Sequence, residues 1–166
     1  PVSLAEARTA TFPDGKVIIV STPTLEGASA IWALYEEGTR FRWAWPCPDC
    51  GEYFVPTFEL LKWPEGCTPH QALREARLAC PGCGSLIEDH HRPEMNRRGR
   101  YLAEGETIED GEIVGDVPEN DTASFWISGL CSPWRTWGQR ARDFIEAKQS
   151  GSPARIQAVI NTRFGE

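Results

Sequence analysis

No apolar run in this 166-residue chain approaches the roughly 20 residues that a membrane helix needs, which excludes a spanning helix. A secretory leader is lacking too, and the sequence opens at Pro1 rather than methionine, so it reads as a piece of something longer. Positive charge is scarce. Seventeen Lys and Arg against 24 Asp and Glu give a net charge of -7, which argues against a wholly basic wrapper of nucleic acid. Most of the acidic excess is local: Glu104, Glu106, Glu109, Asp110, Glu112, Asp116, Glu119 and Asp121 share a stretch without Lys or Arg, and the remainder is near neutral. The six cysteines form two close pairs plus Cys67 and Cys131, which is not a disulfide framework and suits a reducing cytosol. A glycine-rich phosphate loop of the form G-x-x-x-x-G-K-[ST] is also absent, so these residues hold no complete ATP-hydrolysing site.

What is present is a repeated knuckle. Cys47-Pro48-Asp49-Cys50-Gly51 returns as Cys80-Pro81-Gly82-Cys83-Gly84. Two residues between cysteines let a tight turn aim both sulfurs at one ion; proline fixes the turn, and the trailing glycine takes the positive φ that ends it. Two such knuckles supply four thiolates, the donor set of a tetrahedral zinc site, with Cys47, Cys50, Cys80 and Cys83 as ligands. A single C-x-x-C also serves thioredoxin-like redox enzymes, but those carry one copy beside a βαβ unit. A closed shell of four cysteines leaves no open position, so the zinc is expected to be structural, its binding part of the folding free energy. The 29 residues between the pairs leave room for an insertion folded to one side.

The flanking patterns predict an α+β chain. Ser3-Leu4-Ala5-Glu6 has the form of a capping box and predicts a short helix over 4–9. Lys16-Val17-Ile18-Ile19-Val20 is an unbroken β-branched run, expected to be a strand buried on both faces. Ala28, Ile31, Trp32, Leu34 and Tyr35 carry the helical period up to Gly38. Phe41, Trp43 and Trp45 alternate as a strand into the first knuckle, with a return strand over 52–57. Thr68-Pro69 opens a helix reaching about Arg77, and Leu78 and Leu86-Ile87 flank the second knuckle. Residues 97–121 read as a polar, acidic loop or arm, 124–130 as a strand, and two helices follow, one from Trp137 to Lys148 and one opened by Ser152-Pro153.

Several residues admit two readings. Ser21-Thr22-Pro23-Thr24, after the apolar run, is either ordinary turn chemistry or a polar sensor beside a nucleotide γ-phosphate. His90 and His91 are either spare metal ligands or a solvated turn; with four cysteines at hand the turn is preferred. Cys67 and Cys131 read as small side chains. Trp43, Trp45, Trp126, Trp134 and Trp137 can stack on unpaired bases or pack a core, the commoner use. Arg92, Arg97, Arg98 and Arg100 either touch phosphate or form a solvated face.

Taken in order, Leu4-Ala5-x-x-Arg8-Thr9, Ile19 to Thr24 with Gly27, Ser29 and Ile31, the two knuckles, Met95-x-x-x-Gly99, Ser124-Phe125-x-Ile127-x-x-Leu130-x-Ser132-Pro133-x-x-x-Trp137 and Asn161-Thr162-x-x-Gly165-Glu166 resemble the lambda-like terminase large subunit, the GpA family of phage and prophage DNA-packaging motors. The resemblance implies a middle segment of such a protein. On that reading 1–40 is the C-terminal part of an α/β ATPase core, 41–96 an inserted zinc ribbon of two β-hairpin knuckles with a helical insertion, 97–123 an acidic flexible arm, and 124–166 a strand and two helices leading to the nuclease linker. Ser21, Thr22 and Pro23 match the family's nucleotide coupling motif by position. No Walker lysine, Walker B carboxylate or nuclease metal carboxylate lies in these residues, so catalytic residues are expected only in the parent, with its ATP and Mg.

The implied partners are double-stranded viral DNA, a small terminase subunit, a portal and further copies of the chain, in the cytoplasm of the bacterial host and away from membranes. The alternative is a free-standing, non-enzymatic zinc ribbon adaptor that binds DNA or protein.

Overall fold

The structure is a computed structural model that describes residues 7–8, 11–12, 14–22, 29–117 and 119–165. Its elements are mixed helices and small sheets, the α+β class expected. The central strand is β1, Phe41–Pro46, whose antiparallel neighbours are β2, Tyr53–Phe54, at its C-terminal half and β6, Arg100–Leu102, at its N-terminal half. A further strand, β9, Phe125–Trp126, runs parallel to β1 in the register Phe41↔Phe125 and Arg42↔Trp126. A separate three-stranded sheet, ordered β3-β4-β5, is formed by Leu61–Lys62, Arg77–Ala79 and Leu86–Ile87. The knuckles sit at the tip of the β1–β2 hairpin and of the β4–β5 hairpin.

The helices begin where their caps require. Ser29 accepts from the Trp32 N–H ahead of Ala30–Glu37, and Thr68 and Gln71 form a capping box ahead of Pro69–Glu75. Thr136 and Gln139 do the same ahead of Trp137–Gln149, and Ser152 caps Pro153–Val159, which passes into a π turn, Ile160–Phe164. One core joins these parts: Trp45, Phe54, Leu78, Ile87, Met95, Leu130, Trp137, Ile145 and Phe164 are buried together. Trp45 and Trp137 are completely buried, with ring centroids 6.1 Å apart. Each contributes one of the largest apolar areas a side chain can bury.

Several expectations need correction. Residues 16–20 form no ladder among the described residues, and their apolar side chains are uncovered, Ile18 being 84% and Val20 88% exposed. A β-branched run is only a strand where a neighbour accepts its backbone bonds, and no described segment does so. The helix expected over 4–9 is seen at Ala7 and Arg8, its capping box lying outside the described residues. The return strand over 52–57 shortens to Tyr53–Phe54, ahead of Pro56, which has no N–H to give, and a 3-10 turn at Phe58–Leu60. Residues 124–130 pair only at Phe125–Trp126, after which Ser128 accepts from the Leu130 N–H and opens a 3-10 turn, Gly129–Cys131.

The polar stretch after 97 is more structured than its composition suggests. Helix Arg92–Arg98 runs into β6, and Gly99 between them lies against Trp43, where a Cβ would meet the indole at 2.4 Å. A hairpin then pairs β7, Thr107–Glu109, with β8, Glu112–Val114. Asp110 and Gly111 turn it with φ of 52° and 86°, the left-handed pair that a two-residue hairpin of the right twist needs.

Candidate metal centre

Each knuckle is built by the same backbone bonds. The Gly51 N–H donates to the Cys47 carbonyl at 3.0 Å and the Gly84 N–H to the Cys80 carbonyl at 2.9 Å. Each is followed by the return bond of its hairpin, Cys47 N–H to Glu52 and Cys80 N–H to Ser85, both 2.9 Å. Gly51 and Gly84 hold φ of 79° and 75°, conformations that side chains resist. These turns point Cys47, Cys50, Cys80 and Cys83 at one another, with all four sulfurs within 4.8 Å.

The spacing fits a tetrahedral ion. Cys47 Sγ lies 3.9 Å from Cys83 Sγ, and Cys50 Sγ 3.8 Å from Cys80 Sγ, each contact running from one knuckle to the other. Four sulfurs about 2.3 Å from a central ion stand about 3.8 Å apart. Polar groups surround the cluster. The Ser85 hydroxyl reaches Cys83 Sγ at 3.3 Å and Cys47 Sγ at 3.7 Å, and the Asp49 N–H donates to Cys47 Sγ at 3.4 Å.

The thiols do not share one acidity. Hydrogen bonds from the Ser85 side chain and backbone pull Cys83 down to about 6. The Glu52 N–H works to lower Cys50, but burial and the sulfurs of Cys83, Cys47 and Cys80 outweigh it and push it up to about 12. Burial likewise raises Cys80. Four touching thiols cannot all ionise unless a cation sits among them, which is how a four-thiolate metal site is made.

The remaining candidates fall elsewhere. His90 faces Glu88 at 3.3 Å and, like His91, lies outside the sulfur cluster. Cys67 is half-buried, and Cys131 is buried among apolar groups that raise its thiol to about 12 despite Arg140 and Arg92. Trp45 and Trp137 serve the core, the Trp126 indole N–H donates to the Gly165 carbonyl at 2.9 Å, and Trp134 is 88% exposed. Of the arginines, Arg97 pairs with Glu94 and Arg100 donates to the Arg98 and Gly99 carbonyls, while Arg92 is buried. Ser21 and Thr22 are exposed in a segment without regular structure, the Ser21 hydroxyl donating to the Thr22 carbonyl at 3.4 Å; Pro23 and Thr24 lie outside the described residues.

Sequence reasoning missed the polar residues that hold this region to the C-terminal helices. Asp89, Arg92 and Asn96 bond the backbone of residues 131–137. Their signal was a charged and amide spacing of three and four residues, which resembles any solvated helix face until the burial is known.

The fold and the cluster thus define an α+β protein with four cysteines gathered across two hairpin tips in a group that could hold a metal ion. Residues 1–101 match the family model of the phage terminase large subunit gpA, ATPase domain, and residues 122–166 that of the terminase large subunit gpA, endonuclease domain. The chain belongs to the gpA family of phage terminase large subunits. No curated protein and no solved structure matches it. The endonuclease match takes in residues expected to precede the nuclease, and its β9 lies in one sheet with β1 of the ATPase match.

Proposed function

We propose that this chain is the junction of a terminase that cuts viral DNA and drives it into procapsids with ATP, and that Cys47, Cys50, Cys80 and Cys83 hold a structural zinc ion there. The observation that carries the metal reading is the cross-knuckle sulfur spacing of 3.8 and 3.9 Å, given by turns that hydrogen-bond themselves into shape. Zinc suits the donor set, since four soft thiolates in a tetrahedron favour an ion with no geometric preference of its own. Bound there, it supplies cross-linking rather than Lewis acidity, because four protein ligands fill its shell.

In the same reading Ser21, Thr22 and Pro23 form the segment that couples nucleotide hydrolysis to movement. The position of these residues directly after the apolar run 17–20, within the part of the chain that matches the ATPase-domain family model, supports it. Double-stranded viral DNA is the substrate, and the small terminase subunit, the portal and further copies of the chain are its partners in the bacterial cytoplasm.

Metal analysis of protein purified without added zinc tests the central claim. One equivalent per chain, lost in Cys50→Ser, is expected. Less than half an equivalent, or the same content in the variant, overturns it.

A further inference from the structure

We infer that the metal does more than tie two hairpins together: it sets the seat on which residues 130–137, within the endonuclease match, are held. The inference rests on the zinc reading above.

Residues 130–137 are largely irregular backbone, and several of their carbonyls are satisfied by side chains from elsewhere. Arg92, buried, donates from one guanidinium nitrogen to the Ser132 carbonyl at 2.8 Å and the Arg135 carbonyl at 2.6 Å. Asn96 donates to the Cys131 carbonyl at 2.8 Å. Asp89 accepts the Trp137 N–H at 3.1 Å on one carboxylate oxygen and meets Arg92 at 3.3 Å with the other. The Trp137 indole N–H closes the set on the Leu130 carbonyl at 3.1 Å. Buried backbone groups cost most when left unpaired, so these partners decide whether the segment stays in place.

The anchors lie on one helical stretch, the 3-10 turn Asp89–His91 running into helix Arg92–Arg98, and this stretch is tied to two different sheets. Asn96 takes its orientation from the indole N–H of Trp45 at 2.9 Å, and Trp45 lies in β1, two residues before the ligand Cys47. Asp89 follows β5 after a single residue, and β5 is the strand that leaves the second knuckle. β1 and β5 belong to separate sheets, with no ladder between them. The sulfur cluster joins the tips of the two hairpins, so an ion bound there fixes β1 relative to β5, the two strands to which the helical stretch is tied. Removing it leaves four separate thiols where a cross-link stood. β1 and β5 then lose the tie between their tips, and the helical stretch that spans them holds its backbone partners at 130–137 less firmly.

Hydrogen exchange read by mass spectrometry on the zinc-loaded and the chelator-treated chain tests this, with metal content measured on both samples. Removing the metal should speed exchange in peptides covering 130–137 at least tenfold, and change the interior of helix Trp137–Gln149, at 141–147, less than threefold. In zinc-loaded Asn96→Ala the same segment should loosen while zinc stays at one equivalent. Unchanged exchange at 130–137 after the metal is gone overturns the inference and leaves the zinc reading standing. So does a loss of protection spread evenly over the chain, because the ion then supports the whole fold rather than this seat. A chain that carries no zinc as purified overturns the metal reading first, and this inference with it.

Discussion

The carbonyl oxygen of Leu73 stands where a side chain on Gly138 would begin, 1.9 Å from the position of a Cβ. Helices Pro69–Glu75 and Trp137–Gln149 therefore meet backbone to backbone at this point. Glycine in a helix ordinarily costs about 0.5–1 kcal/mol relative to alanine, so at an open site Gly138→Ala would stabilise the protein. Here the added methyl meets a carbonyl that cannot turn away. The variant should lose about 1–3 kcal/mol, seen as a lower urea midpoint at unchanged slope. A midpoint equal to or above that of the native chain would show that the helices can separate at no cost.

Ser85 contacts sulfurs from both knuckles, Cys83 at 3.3 Å and Cys47 at 3.7 Å. Groups that hydrogen-bond metal ligands typically contribute about 10–100-fold in metal affinity. Ser85→Ala should therefore weaken zinc binding by about tenfold or more in competition with a chromophoric chelator, with stoichiometry still at one. Native affinity in the variant would mean that the hydroxyl is a bystander.

The Cys131 thiol gives a pH dependence of known sign. It ionises near 9.0 when free and is held by burial to about 12 in the fold, so the folded chain binds the extra proton between those values. Its contribution to stability is complete below pH 9 and is lost as the pH rises towards 12. Denaturation midpoints across that window should fall more steeply for the native chain than for Cys131→Ala. At pH 8 the folded chain should leave Cys131 unalkylated, since a neutral buried thiol is not a nucleophile. Parallel pH profiles, or rapid labelling of Cys131 without unfolding, would contradict the assignment.

Thr22→Ala in the full-length terminase addresses the coupling segment. Binding of ATP should be nearly unchanged, while kcat for hydrolysis or its coupling to DNA movement should fall about tenfold, equivalent to about 1.4 kcal/mol. A turn hydroxyl of no functional weight would change stability by under about 1 kcal/mol and leave both rates alone. Native hydrolysis and packaging rates would refute the coupling role.

How far the sequence could be read depended on whether a feature was local. The knuckles were legible because proline, glycine and cysteine fix a turn within five residues, and the helix caps at Thr68 and Ser152 because the bonds they make span three. The Asp110-Gly111 turn was equally local, but the surrounding acidic residues hid two short β-branched runs, Thr107-Ile108 and Ile113-Val114. Residues 17–20 show the opposite failure. Their composition states a preference for a buried strand, and pairing needs neighbours that no described segment provides. The clasp of Asp89, Arg92 and Asn96 was illegible because each partner is a backbone carbonyl or N–H about 35 to 48 residues away, and backbone groups carry no sequence signature.

The parallel register of Phe41 with Phe125 makes assembly order-dependent during synthesis. Both cysteine pairs have been translated once Gly84 is added, so the four-sulfur cluster can close on a nascent chain while β9 has yet to be made. At about 5–20 residues per second, seconds pass before Phe125 arrives to occupy the edge of β1. Until then that edge is open to any extended segment nearby. A bound ion in that interval would keep β1 in a preformed hairpin, and the residues made after it would find their docking strand already in place.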